Sequence, residues 1–300
     1  MKRILPLMVA LVVSVSGASL SGCPAPQNNQ SQGPAKPVTV KGSDTMVILG
    51  QRFAERFMNQ YPGTTIQITG GGSGTGIAAL INGSTDIAQS SRPMKETEKQ
   101  QVRERHNKEV IETPVALDGL AVYVHHSNPV NELTLAQVKA IYTGSITNWN
   151  AVGGKNAPIV LYSRENSSGT YEYFKEHVLN KEDFAATVQP LPGTAAVVNA
   201  VGKDPNAIGY GGIAYLEQVK PLRLKKDDAS PAIPPTQEHV LAKTYPISRD
   251  LYFYTVGKPS NPVAIDFIRW VLSEQGQAVV REVEYFSLPE ERRRAILAQW

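Results

Sequence analysis

The sequence predicts an α/β protein with two lobes, on the basis of three observations. Short apolar segments typical of strands alternate with segments of helical spacing along most of the chain. Three early strands are each followed by a turn rich in hydroxyl groups or glycine, and then by a helix. A long apolar run at 115–124 is broken by Asp118-Gly119, which indicates a crossing point between lobes. We therefore expect a ligand cleft between the two lobes.

The order of the elements also predicts how the chain divides. We assign residues 38–117 together with 249–300 to lobe I, and residues 118–248 to lobe II. The return to lobe I is predicted by the apolar run 251–256, which has the composition of a buried strand and is followed by helical patterns.

The first 22 residues have the pattern of a lipoprotein signal peptide. Lys2 and Arg3 precede an apolar run, and the segment ends in Leu20-Ser21-Gly22-Cys23. The apolar run is shorter than the roughly 20 residues needed to span a bilayer. Cys23 is the single cysteine in the chain, which excludes a disulfide framework. We expect cleavage before Cys23, a lipid on its thiol, and attachment to the membrane outside the cytoplasm.

Charge and composition exclude some partners of the mature chain. Removal of residues 1–22 takes away Lys2 and Arg3 and lowers the formal net charge from +3 to +1. No basic block interleaved with aromatic residues is present, so nucleic acid is not an expected partner. Residues 23–37 have few apolar side chains, which predicts a flexible tether between lipid and domain.

Lobe I contains the three turns that point to an anion site. The turn at 42–45 lies between a strand and a helix with Leu49, Phe53 and Phe57 on one face. A loop with five glycines in seven residues, 70–76, follows a second strand, and a polar turn at 89–93 follows a third. Helix openings present unpaired N–H groups and a positive dipole, which favour an anion beyond the carboxyl ends of the strands.

The glycine loop also matches nucleotide motifs, but incompletely. Gly74 to Ala79 satisfies G-x-G-x-x-A after a strand, yet no acidic residue ends a second strand about 20 positions later. The Lys-Ser/Thr pair of a phosphate-binding P-loop is absent, and so is the last glycine of G-x-S-x-G. The five histidines are scattered, so no metal site is predicted. An exported location does not favour a nicotinamide cofactor, and none is predicted.

Lobe II contains the stretch that most strongly suggests a function. A strand at 158–162 leads through Ser163 and Arg164 into Ser168-Gly169-Thr170, which opens a helix. The guanidinium of Arg164 beside these open amides predicts an oxyanion site. A serine N-cap next to a surface arginine is the alternative, and it would be favoured for this stretch taken alone.

With these motifs in order, the chain resembles the PstS family, the phosphate-binding lipoproteins of bacterial ABC phosphate importers. The resemblance implies a periplasmic-binding-protein-like fold, in which two α/β lobes joined by two strands close on one phosphate. The implied ligand-binding residues are Thr45, Met46, Ser73, Arg164, Ser168, Gly169 and Thr170. The motifs are Gly42-Ser43-Asp44-Thr45-Met46, Gly72-Ser73-Gly74, Asp86-Ile87-Ala88 with Ser90-Ser91-Arg92, Ala116-Leu117-Asp118-Gly119, Tyr142 to Trp149, Arg164 with Ser168-Gly169-Thr170, and Ile208-Gly209-Tyr210.

One position departs from the pattern of the family. Some members have an aspartate that accepts the proton of phosphate where this chain has Ser91. A carboxylate acceptor favours phosphate over fully ionised sulfate, because it would repel sulfate. We expect Asp118 to replace that acceptor, with Glu165 as the second candidate.

The resemblance implies a monomeric, lipid-anchored receptor that is not an enzyme. It would capture inorganic phosphate and deliver it to the permease subunits of an ABC importer. Two alternatives remain: a receptor for sulfate, molybdate or tungstate, and a phosphatase. A phosphatase is less favoured because the sequence shows neither a metal-ligand cluster nor a nucleophile paired with a base.

Overall fold

The structure is a computed structural model that describes residues 36–300. The predicted signal peptide, Cys23 and most of the tether lie outside the described residues. Within residues 36–300, no helix has the length and apolar character required to cross a membrane.

Strands and helices alternate as the sequence pattern predicts. The strands are β1 Val38–Gly42, β2 Ile66–Thr69, β3 Ile87–Ser90, β4 Val110–Val124, β5 Glu132–Thr134, β6 Val160–Arg164, β7 Gln189–Leu191, β8 Ala207–Gly212, β9 Lys220–Pro221, β10 Arg223–Lys225 and β11 Ser248–Val256. The helices are α1 Val47–Gln60, α2 Ser73–Ile81, α3 Glu96–His106, α4 Leu135–Tyr142, α5 Gly169–His177, α6 Gly193–Lys203, α7 Gln237–Leu241, α8 Pro262–Leu272, α9 Glu274–Glu282 and α10 Glu290–Leu297. Short 3-10 helices lie at Asp44–Met46, Trp149–Val152 and Ile213–Gln218.

One long strand, β4, belongs to both halves of the main sheet. The strand order is β2-β1-β3-β11-β4-β8-β6-β7, with β9 also paired to β4, while β5 and β10 form a separate pair. Strand β4 pairs with β11 over residues 110–119 and with β8 over residues 120–124. The partner strand therefore changes at Gly119-Leu120, next to the predicted crossing point. We propose that the lobe boundary lies here.

Two aromatic clusters mark two separate hydrophobic cores. On the side of β1 to β3, the ring of Phe53 contacts those of Phe253 and Trp270 edge to face, with centroids 6.4 and 6.3 Å away. On the side of β6 to β8, the rings of Phe174 and Tyr210 stack at 3.8 Å. Each core fixes its own set of strand ends, so the loops beyond those ends are carried by two units.

Parallel pairing directs the functional loops to one edge in each half. Strands β1, β2 and β3 pair in parallel, and so do β6, β7 and β8. The carboxyl ends of parallel strands lie together, and loops that run into helices begin there. Helices α2 and α5 therefore begin at the facing edges of the two halves.

Candidate functional site

The loops from the two lobes meet in a buried cluster of hydroxyl groups. Thr45 Oγ1 of lobe I and Thr170 Oγ1 of lobe II share a hydrogen bond of 2.8 Å. Ser91 Oγ lies 3.5 Å from Thr170 Oγ1 and 3.4 Å from Ser73 Oγ, and accepts from Ser43 Oγ at 2.9 Å. All five side chains are buried. Thr45, Ser73, Ser91 and Thr170 are thus brought together, as the sequence interpretation requires.

Gly169 is a glycine because the two lobes approach each other at this point. A Cβ atom there would lie 2.3 Å from Ser73 Oγ and 3.0 Å from Ser91 Oγ. Gly72, with φ of +92°, is constrained in the same way, since its Cβ would lie 2.4 Å from the carbonyl oxygen of Ser167. The absence of side chains at both positions allows the backbones of the lobes to come together.

Arg164 is buried at the same junction and links the lobes. Its Nη2 donates to Asp44 Oδ2 in lobe I at 3.0 Å and to Glu165 Oε1 at 2.9 Å. Its Nη1 donates to Thr194 Oγ1 at 2.9 Å, and its Nε to Glu165 Oε2 at 3.2 Å. These bonds leave one N–H group, on Nη1, without a partner among residues 36–300.

Arg164 lowers the pKa of the Glu165 carboxyl group. Burial raises the pKa of Glu165, but the hydrogen bonds and the positive charge of Arg164 outweigh burial, so that its pKa is lowered. Glu165 also accepts from the amide of Gly193 at 3.3 Å. Its two oxygens therefore orient Arg164 and are less available to a ligand.

Arg249 is a second buried arginine that our sequence interpretation missed. Its Nε and Nη2 donate to Asp118 Oδ2 at 2.9 and 2.8 Å, and Nη2 also donates to Thr170 Oγ1 at 3.0 Å. Its Nη1 is buried and has no hydrogen-bond partner in the described part of the chain. The guanidinium thus contacts the hydroxyl cluster through Nη2, and the N–H groups on Nη1 remain available to a ligand. The only signal in the sequence was a charged residue just before the apolar return strand.

The predicted proton acceptor, Asp118, is occupied by the protein itself. It is fully buried, and its Cα is the register partner of Arg249 between β4 and β11. Besides the two bonds from Arg249, its Oδ1 accepts from the amide of Ile213 at 3.0 Å. Asp118 therefore has no direct contact with the hydroxyl cluster. It is connected to the cluster through Arg249, which donates to Thr170.

Two other predicted residues make local contacts. Ser168 Oγ accepts from the amides of Thr170 and Tyr171 at 3.2 and 3.3 Å, so it caps helix α5. This is the arrangement of the N-cap alternative, although the neighbouring arginine is buried and not on the surface. The amide of Met46 donates to the carbonyl of Ser43 at 3.1 Å.

Comparisons with known proteins place this geometry in a family. A family model described as the PBP superfamily domain matches residues 27–275. The Phosphate-binding protein PstS of Pseudomonas aeruginosa is 35% identical over 308 residues, covering 96% of this chain and 95% of that protein. The chain belongs to the PstS family of the PBP superfamily.

Two solved structures share the fold of this chain. A phosphate ABC transporter substrate-binding protein of Clostridium perfringens, solved with bound phosphate, has a TM-score of 0.77 and 34% identity. The match covers 85% of this chain and 100% of the C. perfringens chain. An ABC-type phosphate transport receptor of Vibrio cholerae has a TM-score of 0.68 and 30% identity, covering 84% and 100% of the two chains. The predicted family and the two-lobed α/β fold are confirmed.

The ion pair of Asp118 and Arg249 predicts a large loss of stability on neutralisation. Asp118→Asn leaves the buried guanidinium without a countercharge, and we expect the free energy of unfolding to fall by about 3–5 kcal/mol. Urea unfolding followed by circular dichroism measures the change. Asp183→Asn is the matched control, because Asp183 is 93% exposed in its ion pair and its loss should leave stability nearly unchanged. Equal effects of the two substitutions would contradict this account.

Proposed function

We propose that this protein is an extracytoplasmic receptor that binds inorganic phosphate between its lobes and delivers it to an ABC importer. The observation that carries the proposal is a buried junction between the lobes, where Thr45 and Thr170 share a hydrogen bond, Arg249 donates to Thr170, and Arg164 donates to Asp44, the neighbour of Thr45. Membership of the PstS family supports it, because relatives are named phosphate-binding proteins and phosphate transport receptors.

The residues fall into three proposed roles. Arg164 and Arg249 offer their remaining N–H groups to the phosphate oxygens. Ser73, Ser91, Thr45 and Thr170 supply hydroxyl groups, and the opening of helix α5 supplies the amide of Gly169. The amides of Met46 and Ser168 already donate to the carbonyls of Ser43 and Glu165. Hydrogen bonds to charged groups contribute about 1.5–3 kcal/mol each. Micromolar affinity requires about 8 kcal/mol, so about half a dozen such bonds suffice and leave a margin for lobe closure.

The acceptor for the phosphate proton is proposed to be a hydroxyl group. Asp118 and Glu165 already accept hydrogen bonds from the two arginines, whereas Ser91 Oγ lies within the cluster. A hydroxyl oxygen accepts as well as donates. The choice of phosphate over sulfate would then rest on how the rest of the network fixes the orientation of that hydroxyl.

Calorimetry on the mature protein tests the ligand. We expect phosphate to bind with micromolar or tighter affinity, and sulfate at least about tenfold more weakly because it brings no donor to the Ser91 hydroxyl. Arg164→Gln should weaken phosphate binding at least about tenfold by removing a charged donor. Arg223→Gln is the matched control, since Arg223 is exposed on lobe II. Equal affinity of the unmodified protein for both anions would refute the choice of phosphate.

Gly169→Ala tests whether closure brings the site together. The added methyl group would lie 2.3 Å from Ser73 Oγ, so the lobes cannot approach to their present separation. We expect phosphate affinity to drop at least about tenfold, with unfolding in urea little changed, because the obstruction lies between lobes and not within a core. Small-angle scattering with phosphate should show a larger radius of gyration than the unmodified protein. Unchanged affinity would show that the lobes need not meet here.

We further propose that the receptor is a monomer held at the membrane by a lipid on Cys23. The single cysteine at the end of the signal pattern supports this proposal. Cys23→Ser should abolish incorporation of labelled fatty acid and release the protein from the membrane fraction. Phosphate affinity should not change, since Cys23 is not among the residues proposed to bind phosphate. A variant that stays in the membrane fraction would contradict the lipid anchor.

A further inference from the structure

A second set of contacts crosses the cleft outside the hydroxyl cluster. Arg92 directly follows Ser91 in lobe I, and Glu172 lies in the first turn of helix α5, two residues after Thr170 in lobe II. Arg92 Nε lies 2.5 Å from Glu172 Oε2. Lys95 Nζ contacts the other oxygen, Oε1, of the same carboxylate. Each lobe therefore carries a charged group beside its own proposed phosphate-binding residue.

The cation in this contact is held in place by lobe I alone. Glu98 accepts from Arg92 Nη1 and Nη2 at 2.9 and 2.7 Å, and the carbonyl of Pro93 accepts from Nη1 at 2.9 Å. Burial lowers the pKa of Arg92, but the hydrogen bonds and charge of Glu98 more than offset it, so the pKa is raised. A guanidinium fixed in this way loses little further freedom when Glu172 arrives, which favours the contact.

The contact is also better shielded than an ordinary surface pair. The side chain of Arg92 is 6% exposed and that of Glu172 is 23% exposed. Exposed ion pairs contribute little because water screens them, whereas partly buried pairs are screened less. On the same helix, Lys175 pairs with Asp183 at 2.6 Å within lobe II, and Asp183 is 93% exposed. The two pairs differ in burial and in whether they cross the cleft.

We propose that Arg92, Lys95 and Glu172 form an interlobe latch that sets how long phosphate stays bound, without touching it. This inference rests on the proposed function. Glu172 meets both cations only when the lobes close, so its contacts stabilise the closed form selectively. The amide of Gly74 donates to the carbonyl of Ser167 across the cleft at 2.9 Å. This bond holds the start of helix α2 against the start of helix α5, the helix that carries Glu172. Glu172 is thus a positioning residue whose loss speeds opening.

The test measures phosphate release and capture separately. Stopped-flow kinetics on the mature protein should show that Glu172→Gln dissociates phosphate about tenfold faster, while the association rate stays within about twofold. Lys95→Gln should speed dissociation in the unmodified background and have no effect in the Glu172→Gln background, because both act through one contact. Raising the sodium chloride concentration should speed dissociation from the unmodified protein more than from Glu172→Gln.

Asp183→Asn is the matched control, since it makes the same change of charge beside the same helix but within lobe II. It should leave both rate constants unchanged. The latch is refuted if Glu172→Gln dissociates phosphate at the unmodified rate, or if Asp183→Asn speeds it equally. Independent effects of Glu172→Gln and Lys95→Gln would also refute it. Failure of the unmodified protein to bind phosphate would instead refute the proposed function, so the two failures are distinguishable.

Discussion

Burial of positive charge where the two lobes meet is the constraint on which the site depends. Removing a guanidinium from water is costly unless carboxylates and other acceptors surround it. Arg164 meets this requirement with Asp44 from lobe I and Glu165 from lobe II, and Arg249 with Asp118. Asp44 and Glu165 follow the ends of β1 and β6, whereas Asp118 lies within β4. The arrangement is therefore complete only when the chain has crossed between lobes and returned.

Strands β4 and β11 make this arrangement possible because they run side by side through the junction. Asp118 and Arg249 face each other in register, so their ion pair lies on neighbouring strands at the point where β4 changes its partner. The same register places Arg249 next to Thr170 of helix α5. The pair thereby connects the junction between the lobes with the hydroxyl cluster through one side chain.

The sequence predicted the fold well where local signals were strong. Helix α1 and strands β1 to β3 follow from apolar spacing, and the hydroxyl turns after them do lie near one another, because parallel strands share one edge. Strands β5, β7, β9 and β10, of two or three residues, were missed because so few residues show no period. Helix α2 begins at Ser73, inside the predicted glycine loop 70–76, since glycines hide the helical pattern.

The site was predictable in part. The polar turns and the family resemblance identified Thr45, Ser73, Ser91 and Thr170, which the structure brings together, and Arg164, which is buried at the same junction. Arg249 was missed because its importance depends on long-range pairing with Asp118, which no local pattern encodes. The contact of Arg92 with Glu172 was missed for the same reason, since 80 positions separate partners that only closure of the lobes unites.

The balance of formal charge around the cleft has a consequence for how an anion arrives. Asp44, Glu165 and Asp118 outnumber the two guanidinium groups with which they pair. These carboxylates balance the formal charge of the two guanidinium groups, so the arginines act on an arriving anion mainly as donors at short range. Recognition then depends on donors that act only at contact, namely the remaining N–H groups of the arginines, the amide of Gly169 and the hydroxyl groups. Capture in such a cleft is governed by ordinary diffusion and by how often the lobes part.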